Sequence, residues 1–331
     1  MKIVLTGDLA ARLRDDAERV LEGIDVSPEF VLLGNDGRFD GDPSGCDVVL
    51  FSLSASRRKD AMESLMPLFG EPALAWMQGP GAGIDHPVWS TLLDRGVRLT
   101  NASGIHSEPI AQYIFTYVLH WERNVALHQR QQAAKQWETI HSDDLGAKTI
   151  GIVGYGGIGQ ATAKVGKAFG MRVLGCRRSA CDDPNLDAFV PLDRLKELLA
   201  ESHYVVLCMP FNDETREMIG AAELAAMRGD AVLINVARGG VVDESALIET
   251  LRTGRIRGAT LDVVSEEPLP ERSPLWALEN CVITPHDAGY SPLGDERLGA
   301  LFLENLGRFA RGEPMRNEIR STGISHDEAG A

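Results

Sequence analysis

Three stretches of this 331-residue chain each set a reactive side chain just past a short apolar run. "VLINVARGGVVDESAL" places Arg238 ahead of a Gly-Gly pair, "ATLDVVSEEPLP" places Glu267 before a proline, and "NCVITPHDAGYSP" places His286 after one. The apolar runs are expected to be strands. All three residues would then stand at strand C-terminal ends, the edge where open α/β sheets bind ligands. A cation, an acid and a histidine gathered there suit hydride transfer to a 2-oxo acid. Arg238 would pair with the substrate carboxylate and polarise the carbonyl. His286 would protonate the oxygen as hydride arrives and take that proton back in the reverse direction. Glu267 beside the imidazole would fix its orientation. Each residue also has a plainer reading, as a strand-end cap, a solvated turn and a core histidine. Their recurrence at three strand ends favours chemistry.

A source of hydride is suggested upstream. "TIGIVGYGGIG" holds Gly154, Gly156 and Gly159 as G-x-G-x-x-G, directly after an apolar strand and opening a helix. Gly154 allows the tight turn, Gly156 lets backbone approach a pyrophosphate, and Gly159 lets helix pack on strand. The ligand's charge would rest on N–H groups at the helix N-terminus. The next strand, "RVLGC", ends where an acid normally accepts the ribose hydroxyls of NAD, but Arg177, Arg178 and Ser179 follow it. Two charge-assisted hydrogen bonds of roughly 1.5–3 kcal/mol each would prefer a 2′-phosphate by on the order of a hundredfold or more. The expected cofactor is therefore NADP, as NADPH.

The elements that must position these residues alternate along the chain. Strands are expected at 2–6, 47–53, 73–77 and 97–100, with helices at 8–22, 57–68 and 88–95. A long, mostly buried helix is expected over 107–132, capped by Ser107. A second βα series follows, with strands at 149–153, 172–176, 204–208, 231–235, 258–262 and 281–284. Its helices fall at 157–169, 192–200, 221–227 and 243–252. A last helix covers about 295–311, and the polar tail 320–331 is expected to fray. The fold class expected is α/β, with two doubly wound parallel-sheet (Rossmann-like) domains and a cleft between them. Periodicity alone does not say where the last helix packs.

Composition narrows the partners. The formal charge is −15, which argues against non-specific nucleic-acid binding. Five cysteines with no C-x-x-C pair suit reduced thiols and a cytoplasmic protein. No stretch reaches the length of a membrane span, and the start "MKIVLTGDLA" lacks the apolar core of a signal peptide. His120 and His128 are too widely spaced for one metal ion, so no metal is expected.

"GYGGIG", "NVARGGVVDESAL", "LDVVSEEPLP" and "TPHDAG" together resemble the D-isomer-specific 2-hydroxyacid dehydrogenase family, over about residues 45–315. The resemblance implies that Arg238, Glu267 and His286 are catalytic, and that Asp262 of the "LDV" segment holds the nicotinamide amide. It implies that the last helix crosses back to the first domain. The substrate-binding domain would then be 1–101 plus 288–331, and the dinucleotide-binding domain 102–287. "QGPGAGIDH" resembles the family's substrate loop, in which backbone N–H groups of Ala82 and Gly83 would hold the carboxylate opposite Arg238. The residues expected to meet the dinucleotide are Gly154, Gly156, Gly157, Ile158, Gly159, Arg177, Arg178, Ser179, Ala237 and Asp262. NAD-using members carry Asp where Arg177 stands, so this departure resembles the NADPH-dependent glyoxylate and hydroxypyruvate reductases. The chain shows no long C-terminal extension, so a phosphoglycerate dehydrogenase with a regulatory domain is not expected. The resemblance also implies a homodimer packed through the 113–137 region, where Trp121 and Trp137 lie. Phe51 and Tyr290 flank expected substrate positions, with ordinary packing the simpler account.

Two other readings keep the same motifs. One is an NAD(P)-dependent dehydrogenase of phosphite or another small anion. The other is a dinucleotide-sensing corepressor or scaffold without turnover, as in the C-terminal binding proteins. Basic arms and long disordered tails, which the last would favour, are not evident.

Overall fold

The structure, a computed structural model, describes residues 1–7, 10–83 and 87–319. The expected tail therefore lies outside the described residues, as do residues 84–86 of the expected substrate loop. The chain divides into two compact units, Met1–Ile105 with the chain from Ser291 on, and His106–Tyr290. The expected breaks stood at 101 and 288.

The smaller unit begins with β1 (Lys2–Thr6), α1 (Ala10–Leu21), β2 (Glu29–Leu33), β3 (Val48–Leu50), α2 (Leu53–Ser56) and α3 (Lys59–Leu65). It continues through β4 (Trp76–Gln78), α4 (Pro87–Asp94) and β5 (Arg98–Thr100). The larger unit holds α5 (Ser107–Glu122), α6 (Val125–Ala133), β6 (Thr149–Val153), α7 (Gly157–Ala168), β7 (Arg172–Arg177) and β8 (Ala188–Pro191). After these come α8 (Leu195–Glu201), β9 (Tyr204–Leu207), α9 (Ala221–Ala226), β10 (Val232–Asn235), α10 (Glu244–Arg252), β11 (Gly258–Leu261) and β12 (Cys281–Ile283). Then α11 (Leu293–Ala310) and β13 (Glu318–Ile319) return to the smaller unit.

Among the described residues the smaller sheet runs β13-β5-β4-β3-β1-β2, parallel except for β13. The larger runs β12-β11-β10-β9-β6-β7-β8, parallel throughout. Tyr204–Leu207 and Val232–Asn235 are buried at every position, as sheets covered on both faces require. Each unit carries two apolar clusters, and those of the larger unit include Leu198, Leu207, Leu233 and Leu261 in one and Ile114, Ile152, Val206 and Ile234 in the other. In the smaller unit α11 packs on α1, with Leu298, Phe302 and Leu306 joining Leu13, Ala17 and Leu21. Phe302 stacks on Trp76, ring centroids 5.1 Å apart.

Three features depart from the expected elements. The helix expected over 107–132 is two helices, broken at Asn124, whose φ is 51°. Asparagine tolerates that left-handed conformation. Its side chain is held from both sides: Arg257 donates to Oδ1 at 3.1 Å, and Nδ2 donates to Ser142 at 3.2 Å. Strands β2 and β8 were not expected, and both lie at sheet edges where short runs carry weak patterns. β13 has two residues, too short for any periodicity.

Candidate active site

The strand order of the larger sheet reverses between β6 and β9, the point at which such sheets bind ligands. The chain leaves β6 through Gly154 at φ 97°. A Cβ there would also overlap the Cys208–Met209 backbone, so this turn requires glycine twice over. Gly156 caps α7, Gly157 and Ile158 open it, and an added Cβ on Gly159 would lie 2.7 Å from the Gly154 carbonyl oxygen. The Cys208 thiol donates to that same oxygen at 2.9 Å, and burial pushes its pKa up to about 12, so it stays a neutral donor. The Tyr155 hydroxyl is buried, and burial raises its pKa. The twelve-residue α7 presents its N-terminal N–H groups at the loop.

Beside this turn, β7 carries Arg177 as its last residue. Arg177 is half-buried, with its guanidinium 3.5 Å from the Tyr155 carbonyl oxygen, so it lies against the glycine loop. Arg178 is exposed and pairs with exposed Glu214 at 3.1 Å. Such a pair contributes only about 0–1 kcal/mol, so an arriving phosphate competes with it at little cost. Ser179 is exposed in the same turn. A glycine turn that excludes side chains, a helix N-terminus and a cation against the loop fit a dinucleotide.

The same sheet edge carries the three reactive side chains. β10, β11 and β12 lie side by side in parallel, so the chains leaving Asn235, Leu261 and Ile283 emerge together. Past β10, buried Asn235 accepts from the Ala237 N–H at 3.0 Å and donates to the Arg238 carbonyl at 3.1 Å, closing a tight loop. Arg238 is half-buried, and its guanidinium donates to the Ala237 carbonyl at 2.8 Å. Gly239 follows, and a Cβ on it would overlap the Val264 carbonyl and the Ser265 nitrogen. The loops bearing Arg238 and Glu267 thus meet backbone to backbone.

Glu267 is held through both oxygens. Oε1 accepts from the Val264 N–H at 3.2 Å, and Oε2 lies 2.8 Å from His286 Nδ1. A carboxylate only accepts, so Nδ1 carries the hydrogen and the transferable proton belongs to Nε2. His286 itself sits at φ 55°, a conformation that costs a non-glycine residue of order 1 kcal/mol or more. Asp262 holds it there. The His286 N–H donates to the Asp262 carbonyl at 2.9 Å, and the Asp287 and Ala288 N–H groups donate to its carboxylate at 3.0 Å each. Thr284 adds its hydroxyl to Asp262 Oδ1 at 2.6 Å and meets the Tyr113 hydroxyl at 2.6 Å.

Asn235, Thr284 and Tyr113 are supports that sequence reasoning did not single out. The threonine stood in the quoted "ITPH", but nothing in its spacing marks Asp262, past the neighbouring strand, as its partner. Ala237 is buried beside Arg238. Ala82 and Gly83 belong to the smaller unit, in the turn after β4. Trp121 donates its indole N–H to Thr260 at 2.9 Å, Trp137 is fully exposed, and Phe51 packs against Phe69.

Comparison with known proteins points to one family. The model of the D-isomer specific 2-hydroxyacid dehydrogenase NAD-binding domain matches residues 115–288. A glyoxylate reductase of Korarchaeum cryptofilum is 36% identical over 273 residues, 78% of this chain and 82% of its own. A second, from Aeropyrum pernix, is 33% identical over 283 residues, 81% of this chain and 84% of its own. A crystal structure of a D-isomer specific 2-hydroxyacid dehydrogenase from Xanthobacter autotrophicus Py2, in complex with NADPH and MES, gives a TM-score of 0.76 at 30% identity. That match covers 96% of this chain and 97% of the other. With motif, geometry and likeness in agreement, the chain belongs to the D-isomer-specific 2-hydroxyacid dehydrogenase family and is an oxidoreductase working with a nicotinamide dinucleotide.

Proposed function

We propose that this protein reduces a small 2-oxo acid, glyoxylate or hydroxypyruvate, with NADPH. The observation that carries the reaction is the 2.8 Å bond between Glu267 and His286 Nδ1, which reserves Nε2 for the substrate oxygen. The bound nicotinamide supplies the hydride. Arg238 binds the substrate carboxylate and polarises the carbonyl, and the Ala82 and Gly83 N–H groups contribute further donors to that carboxylate. His286 delivers its Nε2 proton as negative charge builds on the oxygen, and Glu267 keeps the ring in place. Asp262, which already ties down the His286 turn, accepts from the nicotinamide amide. Arg177 and Arg178 select the phosphorylated ribose.

The likeness to glyoxylate reductases supports the substrate, and the position of Arg177 supports the cofactor. Val125, Leu127 and Trp137 expose apolar surface that a second copy of the chain would cover, in keeping with a homodimer. The five unpaired cysteines are in keeping with the cytoplasm, and among the described residues no helix is long and apolar enough to cross a membrane. The test is consumption of NADPH and NADH with glyoxylate, hydroxypyruvate and pyruvate, and reduction of NADP and NAD with phosphite, each measured by absorbance. Turnover of glyoxylate or hydroxypyruvate with NADPH well ahead of NADH is expected. Equal use of NADH removes the cofactor assignment, and reduction of NADP by phosphite replaces the substrate.

A further inference from the structure

To the proposed reaction the smaller unit brings two backbone N–H groups, and a single side chain aims one of them. The turn after β4 crosses the segment after β5 at two successive peptides. The Gly81 carbonyl accepts the Ala102 N–H at 2.8 Å, and the Ala82 carbonyl accepts Nδ2 of Asn101 at 2.9 Å. Both peptides are trans, so each N–H points opposite to its carbonyl. Holding both carbonyls on one side therefore turns the Ala82 and Gly83 N–H groups together toward the other. Neither N–H has an acceptor among the described residues. Two adjacent, co-directed and unoccupied N–H groups form a concavity for an anion.

Asn101 is itself locked. It is 3% exposed, and its Oδ1 accepts the Ser103 N–H at 3.0 Å, which leaves Nδ2 to face Ala82. Its backbone N–H donates to the Asn317 carbonyl at 3.1 Å, and Asn317 Nδ2 returns a bond to the Ser103 carbonyl at 2.9 Å. We infer that Asn101 is a positioning residue for substrate binding: by gripping the Ala82 carbonyl it presets the Gly83 N–H for the carboxylate. This rests on the reading above, in which those N–H groups meet the substrate.

The test is Asn101→Asp, which keeps shape and the acceptor for Ser103 but sets an oxygen against the Ala82 carbonyl. At neutral pH the KM for glyoxylate should rise about tenfold or more, the loss of one charge-assisted contact. The KM for NADPH should stay near wild type, while the melting temperature falls somewhat because a buried carboxylate now faces a carbonyl oxygen. Lowering the pH protonates the introduced carboxyl and restores a donor, so the excess KM over wild type should shrink. A merely structural role would not give that pH dependence. An unchanged KM, or an excess that stays flat with pH, overturns the inference. If this variant does not fold, Asn101→Ala is measured for the same rise in KM, and an unchanged KM again overturns it. If wild type turns over no 2-oxo acid, the proposed function fails by itself. A crystal structure of Asn101→Asp then decides: a rotated 82–83 peptide supports the positioning role, and an unrotated one removes it.

Discussion

In the proposed reaction the two units contribute by different means. The larger unit offers side chains, Arg238, Glu267 and His286, each at the end of its own parallel strand. From the smaller unit the proposal takes the backbone N–H groups of Ala82 and Gly83, with the buried Asn101 gripping the Ala82 carbonyl. Side-chain chemistry announces itself by residue type. Backbone chemistry is nearly independent of residue type and is set by what holds the carbonyls on the other face.

The sharpest way to break this contrast is His286→Ala. A positioned general acid contributes about 10²–10⁴-fold, so kcat should fall by that order while NADPH still binds, as fluorescence titration would show. Near-wild-type turnover would take His286 out of the reaction. Arg177→Ala comes next. Removing one charge-assisted bond should lower kcat/KM for NADPH by about tenfold or more and leave NADH untouched. An equal loss with both cofactors would make Arg177 a structural residue of the loop.

A third experiment separates the units by acid. His203 has its pKa lowered, first by burial and then by Arg228, and His120 is lowered by burial as well; both lie in the larger unit. The His203 Nδ1 accepts the Thr149 N–H at 3.0 Å, which an imidazolium does not do. The unfolded imidazole titrates near 6.5, above the folded one. Between those two values the unfolded chain binds more protons, so stability is complete above about pH 6.5 and falls as pH drops toward the folded pKa. His203→Asn, which keeps an acceptor, should flatten part of that slope in thermal melts at about pH 7.5 and 5.5. An unaltered slope would assign the acid sensitivity elsewhere. The smallest effect belongs to Ala82→Ser. Since position 82 works through its N–H, kcat/KM should stay within about twofold of wild type. A large loss there would contradict a backbone-built half.

Much of the larger unit could be read without coordinates. Strands β6, β10 and β11 are buried at every position and so form plain apolar runs followed by the glycine loop, Arg238 and Glu267, while His286 follows the half-buried edge strand β12. The Glu267–His286 contact joins residues nineteen apart, and its likelihood rested on neighbouring strand ends. The supports were not readable. Asp262 uses its carbonyl and both carboxylate oxygens on the His286 turn, and Thr284 bridges it to Tyr113 on α5; spacing does not encode such bonds. Asn101 escaped for the same reason. In "VRLTNASG" it looks like an ordinary turn asparagine, and only its bond to Ala82 gives it work. The break at Asn124 was hidden because nothing in the local sequence marks it, while Arg257, one of the groups that hold the Asn124 side chain, lies 133 residues downstream.

Gly239 carries a practical corollary. Because main chain presses on main chain there, with Val264 and Ser265 occupying the volume of any side chain, the two neighbouring loops behave as one rigid block. Engineers who lengthen or shorten either loop to admit bulkier acids would have to remodel both together, and a mutational library at this codon should return almost nothing but the parental residue.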